Sequence, residues 1–157
     1  MRIPRIYLET SVFNFAFADD APDKKSDTLK LFEEIKAGKY QTFTSVYVTD
    51  ELNLASEPKR STMLDLIKQC KVEILSEDLE ADRLAYAYVS EGIIPGKYLS
   101  DAKHIAVASV TGLDVIVSWN FEHIVKLKTI RMTEVVNLKE SYRRILINSP
   151  TEVIDND

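Results

Sequence analysis

The sequence predicts an α/β protein, a three-layer sandwich in which helices cover a mostly parallel central sheet. Three observations lead there. Short apolar runs of strand composition alternate with longer stretches of helical periodicity, the order that builds parallel sheets. Val115 to Val117 is an unbroken β-branched run, which suits a central strand buried on both faces. Gly38, Gly92 and Gly112 each fall where a helical pattern stops, and no repeat, low-complexity tract or Pro/Gly-rich linker divides the chain. One domain spanning residues 1–157 is expected, large enough to bury a real core.

Each element has its own signal. Ile3 to Leu8 has strand composition and ends at Glu9. Leu29, Phe32 and Ile35 are helically spaced within Ser26 to Lys36, with Gly38 as the stop. Gln41 to Thr44 reads as a short strand, and Ser45 is placed to cap a helix from Val46 to about Ala55. A helix is expected from Lys59 to Cys70, a strand from Val72 to Leu75, and a helix from Leu79 to Glu91. Ser100 is placed to cap Asp101 to Val110, with Gly112 as its stop. After the strand Val115 to Val117, a short helix is expected from Glu122 to about Lys126 and another over Thr133 to Tyr142. Ile145 to Ile147 reads as a late strand. Ser149-Pro150-Thr151-Glu152 joins a cap, Pro at the first helical position and Glu where a capping box needs it.

Composition narrows the function classes. The apolar share is 45% and the charged share 29%, as in ordinary globular proteins. No window approaches the ~18 unbroken apolar residues of a membrane span, and MRIPRIYLETS lacks the apolar core of a signal peptide. One cysteine, Cys70, excludes an internal disulfide framework and a cysteine-rich zinc cage. A reducing, cytoplasmic setting is expected. The net charge of −5 repels polyanions as a whole, so any nucleic acid must find a local patch. No G-x-S-x-G, Walker loop or dinucleotide fingerprint is present.

Three acids are out of place. Glu9 stands at the carboxyl end of an apolar strand, where a solvated residue or a first-turn acid would also fit. Glu51 falls within the apolar arc of its helix, beside Tyr47, Val48, Leu52 and Leu54 on a ~100° wheel. A carboxylate there is desolvated unless it is paired or bound to a cation. Asp101 opens a strongly apolar helix, where favourable interaction with the helix dipole is explanation enough by itself. If all three converge, their mutual repulsion calls for a divalent cation. Oxygen ligands without Cys or His suit magnesium or manganese. His104 and His123 read as helix-surface or core histidines rather than ligands.

The segments YLETSVFNF, TDEL, SDAKHIAVAS and DVIVSWNFEHI resemble, in order and rough spacing, the PIN-domain nucleases. The closest likeness is to VapC-type toxin ribonucleases of toxin–antitoxin pairs, in a subgroup with E-T-S and W-N motifs, and it extends to the terminal ILINSPTEVI. Glu9, Glu51 and Asp101 match three of the family's acidic positions, with Glu where the first is most often Asp. Asn120 matches the fourth, often an acid. The resemblance implies a PIN-like fold and a Mg2+- or Mn2+-dependent endoribonuclease, a homodimer regulated by a small antitoxin. Glu9, Glu51 and Asp101 would hold metal, Asn120 would orient a water or carboxylate, and Ser11 and Ser118 would support the site. The alternative is a catalytically impaired PIN-fold module that binds RNA or a protein partner. A receiver-like domain fits poorly, because Glu9 has no adjacent acid and Thr44-Ser45 follows the second strand.

Overall fold

The computed structural model describes residues 2–155. Five strands form one sheet: β1 (Arg5–Leu8), β2 (Gln41–Ser45), β3 (Glu73–Leu75), β4 (Val115–Val117) and β5 (Leu146–Asn148). Their spatial order is β3-β2-β1-β4-β5, and all four pairings are parallel. Tyr7 registers with Phe43 on one side and Ile116 on the other, so β1 runs down the middle of the sheet. Ile6, Tyr7, Leu8, Ile116 and Val117 are essentially inaccessible, as continuous apolar strands covered on both faces should be. Burial of each such side chain contributes about 1.5–3 kcal/mol.

The helices are α1 (Thr10–Phe15), α2 (Pro22–Lys36), α3 (Val46–Leu52), α4 (Lys59–Gln69), α5 (Leu79–Ser90), α6 (Leu99–Thr111), α7 (Leu127–Lys139) and α8 (Pro150–Val153). Helix α1 packs on α2, α3 and α4; α5 packs on α6 and α7. This is the α/β architecture that the alternation of elements predicts. The chain runs outward from β1 through β2 to β3, then returns to place β4 on the other flank of β1. The gap between the carboxyl ends of β1 and β4 is therefore the switch point at which open parallel sheets form their sites.

Local signals held at several ends. Gly112 ends α6 in the left-handed region (φ 75°), which disfavours any residue with a Cβ. Glu152 accepts the Ser149 backbone N–H at 2.9 Å, completing the capping box of α8. Other ends depart from expectation. Helix α2 starts four residues early because Pro22 supplies a first-turn residue that needs no N–H partner. Ser45 has the extended backbone of a cap, but its hydroxyl bonds Tyr7 instead of the helix. Helix α3 stops at Leu52, so Leu54 lies beyond it and is exposed. Ser100 sits inside α6, which begins one residue earlier off a 3-10 turn at Gly96–Tyr98. Residues 121–126 form turns rather than a helix, and α7 begins at Leu127.

Candidate functional site

Glu9 leaves β1 at its carboxyl end and caps α1, with 4% of its surface exposed. One oxygen, Oε1, receives three hydrogen bonds: from the Ser11 backbone N–H (3.2 Å), the Ser11 hydroxyl (2.5 Å) and the Ser118 hydroxyl (2.6 Å). Each serine in turn accepts a backbone N–H from the end of β4. Trp119 N donates to Ser11 Oγ at 2.8 Å, and Asn120 N donates to Ser118 Oγ at 2.9 Å. The Ser-Trp-Asn segment thus polarises both hydroxyls toward Glu9 and fixes its orientation. A buried carboxylate receives neutral donors here, not a cation.

Asn120 serves as a local cap, although of a turn. Its Oδ1 accepts the His123 backbone N–H at 3.0 Å, and its carbonyl accepts from Ile124 and Val125. Its side chain also helps to lower the Asp101 pKa against the effect of burial.

Glu51, on α3, is held by a side chain of α6. Its Oε1 lies 2.7 Å from His104 Nε2. A carboxylate can only accept, so that nitrogen carries a proton. His104 is completely buried; its Nδ1 meets the Tyr7 hydroxyl at 2.8 Å, and that hydroxyl meets Ser45 Oγ at 2.7 Å. The result is a buried chain from Ser45 through Tyr7 and His104 to Glu51. Burial alone would lower the His104 pKa, but the Glu51 hydrogen bond and the charges of Glu9, Glu51 and Asp101 raise it overall. Burial likewise pushes Glu51 upward, and the His104 bond and charge bring it below the usual carboxylate value.

Asp101, one turn before His104 on α6, bonds His123 Nδ1 at 3.0 Å. Here burial prevails: the Asp101 pKa is raised, despite opposing help from His104, His123 and Asn120. The Tyr98 ring stacks on His123 at 4.0 Å between centroids and holds the imidazole in place. The charges of all three acids raise the His104 pKa, although the acids come from the end of β1, from α3 and from α6.

Ser11 and Ser118 face each other at 3.5 Å beside Glu9. Thr10 Oγ1 is buried without a hydrogen-bond partner, though its hydroxyl lies close enough to help lower the Glu51 pKa. An orphaned hydroxyl beside an acid is an open oxygen donor. Among the described residues, however, no three His, Cys, Asp or Glu side chains stand close enough together to ligate one ion.

Sequence reasoning missed Tyr7, Thr10 and the role of both histidines. His104 and His123 are carboxylate partners, a use distinct from metal ligation. The spacing of Asp101 and His104 at i and i+3 puts them on one helical face and was the available signal. Tyr7 looked like any strand aromatic.

Fold and geometry together define an α/β protein with a carboxylate-rich site at the switch point of a parallel sheet. No family model matches the chain, and no curated protein matches it. Solved structures do: one is a chain of VapBC2 from Rickettsia felis, crystallised bound to a DNA fragment from their promoter. It is 18% identical, with 92% of this chain and 98% of that chain covered, at a TM-score of 0.56. At that identity the likeness is one of fold.

Proposed function

We propose that the protein is a VapC-type PIN-domain endoribonuclease that hydrolyses RNA phosphodiester bonds with a bound Mg2+ or Mn2+, and that it is the toxin of a toxin–antitoxin pair. One observation carries this reading: at the β1/β4 switch point the buried Glu9 is held by Ser11 and Ser118, while Glu51 bonds His104 and Asp101 bonds His123, all without a cationic Lys or Arg partner among the described residues. The likeness of fold to a VapBC2 chain supports the antitoxin partner. A homodimer belongs to the same proposal. A cytoplasmic setting belongs to it as well; no helix among the described residues is long and apolar enough to cross a membrane.

Glu9, Glu51 and Asp101 would hold the cation, in part through water, with the Thr10 hydroxyl as a further oxygen donor. The bound cation would neutralise charge on the scissile phosphate and lower the pKa of an attacking water. Everything else falls to the chain. Ser11 and Ser118 keep Glu9 Oε1 fixed, His104 aims Glu51, and His123, whose backbone N–H Asn120 accepts, aims Asp101. These are the outer partners on which a metal site's geometry depends.

The test is cleavage of single-stranded RNA by Glu51→Gln and Asp101→Asn, with circular dichroism to verify the fold. Both are expected to lose divalent-dependent cleavage by more than the ~10- to 100-fold typical of a lost supporting partner. Wild-type-like cleavage by either overturns the mechanism. The alternative, a PIN-fold module that binds RNA or protein without cutting, draws on the absence of a three-residue ligating cluster among the described residues. RNA binding without cleavage in both Mg2+ and Mn2+ would establish it.

A further inference from the structure

Beside the acids, at the end of β4, lies an aromatic cluster. The rings of Phe15, Trp119 and Phe121 meet with centroids 5.8 Å and 6.0 Å apart, Trp119 in the middle. Lys24 Nζ lies 5.0 Å from the Phe15 centroid, 5.6 Å from Trp119 and 5.3 Å from Phe121. One ammonium thus touches three aromatic faces. The group is rigidly tethered, because the Trp119 indole N–H donates to Thr28 Oγ1 at 2.8 Å and that hydroxyl donates to the Lys24 carbonyl at 2.6 Å.

Two of its members lack a partner of a kind that a ligand could supply. Lys24 stands in the first turn of α2, where the helix dipole disfavours a cation, and among the described residues it has no carboxylate within ion-pair distance. Phe121 is 48% exposed on a turn. Both become useful if a ligand brings its own π-face and its own negative charge. A nucleotide brings both.

We infer that Phe121 and Lys24 form a nucleotide subsite for single-stranded RNA, the base stacking on the exposed Phe121 ring and an adjoining phosphate drawn to Lys24. This rests on the ribonuclease reading and places the substrate's path along the end of β4. Phe121 directly follows Asn120, whose backbone N–H feeds the Ser118–Glu9 relay, so the subsite adjoins the candidate catalytic carboxylates. A base–aromatic contact is tolerant of sequence because every base has a π-face. It also requires an unstacked base, so it selects single strands over duplex. Local attraction of this kind is what a chain of net charge −5 needs to hold a polyanion.

The experiment is an anisotropy titration of a fluorescein-labelled, mixed-sequence RNA decamer in EDTA, which prevents divalent-dependent cleavage. Emission from Trp119, the chain's one tryptophan, is read in parallel. Wild-type protein is expected to bind the single strand with a change in Trp119 emission, and to bind the same sequence as a duplex much more weakly. Phe121→Ala should weaken binding about 5- to 150-fold, the range that base stacking supports, and Phe121→Tyr should restore it. Lys24→Gln should weaken binding and reduce the slope of log affinity against log salt by about 0.7. Wild-type affinity in Phe121→Ala and Lys24→Gln overturns the subsite and leaves the cleavage reading standing. Equal binding of single strand and duplex also overturns it. No RNA binding by the wild-type protein in EDTA overturns the subsite, while the ribonuclease reading stands or falls on the divalent-dependent cleavage assay.

Discussion

The two ends of the sheet treat their acids in opposite ways. At the amino-terminal end of β4, Asp114 accepts the Arg5 backbone N–H at 2.8 Å and pairs with Arg2 at 2.6 Å and Arg143 at 3.2 Å. Partial burial pushes its pKa upward, but Arg5, Arg2 and Arg143 bring it below the ordinary value. At the carboxyl end, three acids share two histidines and a set of hydroxyl and amide donors. No Lys or Arg pairs with Glu9, Glu51 or Asp101 among the described residues. An acid ringed by arginines is finished as a structural element. Acids left short of cationic partners retain a capacity to bind charge, and this contrast marks the carboxyl end as the functional one.

Tyr7 is the position where substitution should separate the two ends most strongly. Tyr7→Phe leaves the buried His104 Nδ1 without its partner, which should cost about 1–3 kcal/mol. Through Glu51 it should also slow RNA cleavage by ~10- to 100-fold. Arg143→Gln, at the other end, should leave cleavage per folded molecule unchanged. Urea unfolding and initial cleavage rates on the three proteins measure both effects, and equal cleavage by Tyr7→Phe and wild type would separate His104 from the site.

A smaller contrast lies in charge removal. Asp114→Asn should lower stability by about 1 kcal/mol, a modest figure because solvent screens its arginine pairs. Asp101→Asn should match or exceed wild-type stability, since burial penalises the charge that it removes. The reverse order in thermal melts would contradict the contrast between the two ends.

The finest distinction is in pH. The Asp114 pKa is lowered, so its contribution is present above the ordinary 3.8 and lost as pH falls through the folded-state value. The His104 pKa is raised, so its contribution is complete below 6.5 and lost as pH rises through its folded-state value. The penalty of the Asp101 charge also grows with rising pH, because its pKa is raised. Without divalent ions, the amino-terminal end therefore weakens in acid through Asp114, while the site weakens in acid through Glu51, whose pKa is lowered, and toward alkaline pH through His104. Urea midpoints from pH 3 to 9 should show Asp114→Asn flattening only the acid limb and Tyr7→Phe altering only the alkaline one.

Much of the fold was legible because its signals are local. The β-branched run at Val115–Val117, the stop at Gly112 and the Ser149–Glu152 box each depend on residues a few positions apart. Errors arose where a distant partner competed for a side chain. Ser45 would cap α3 by local rules, but Tyr7, 38 positions away, takes its hydroxyl. The expected helix after Asn120 becomes a turn whose amides are taken up by the Asn120 side chain and carbonyl.

The alternation of elements, the placing of Glu9 and Asn120 at strand ends, and the burden of an acid on an apolar helix face are written in the linear chain. These follow from periodicity, capping and desolvation, which neighbours in the chain dictate. Only tertiary structure decided how the acids are satisfied. His104 reaches Glu51 across 53 positions, Ser118 reaches Glu9 across 109, and Tyr7 reaches His104 across 97. Those partners become neighbours only when β1 is enclosed between β2 and β4. Hydrogen bonding is short-ranged and directional, so nothing in the linear spacing could specify which donor would arrive at which oxygen.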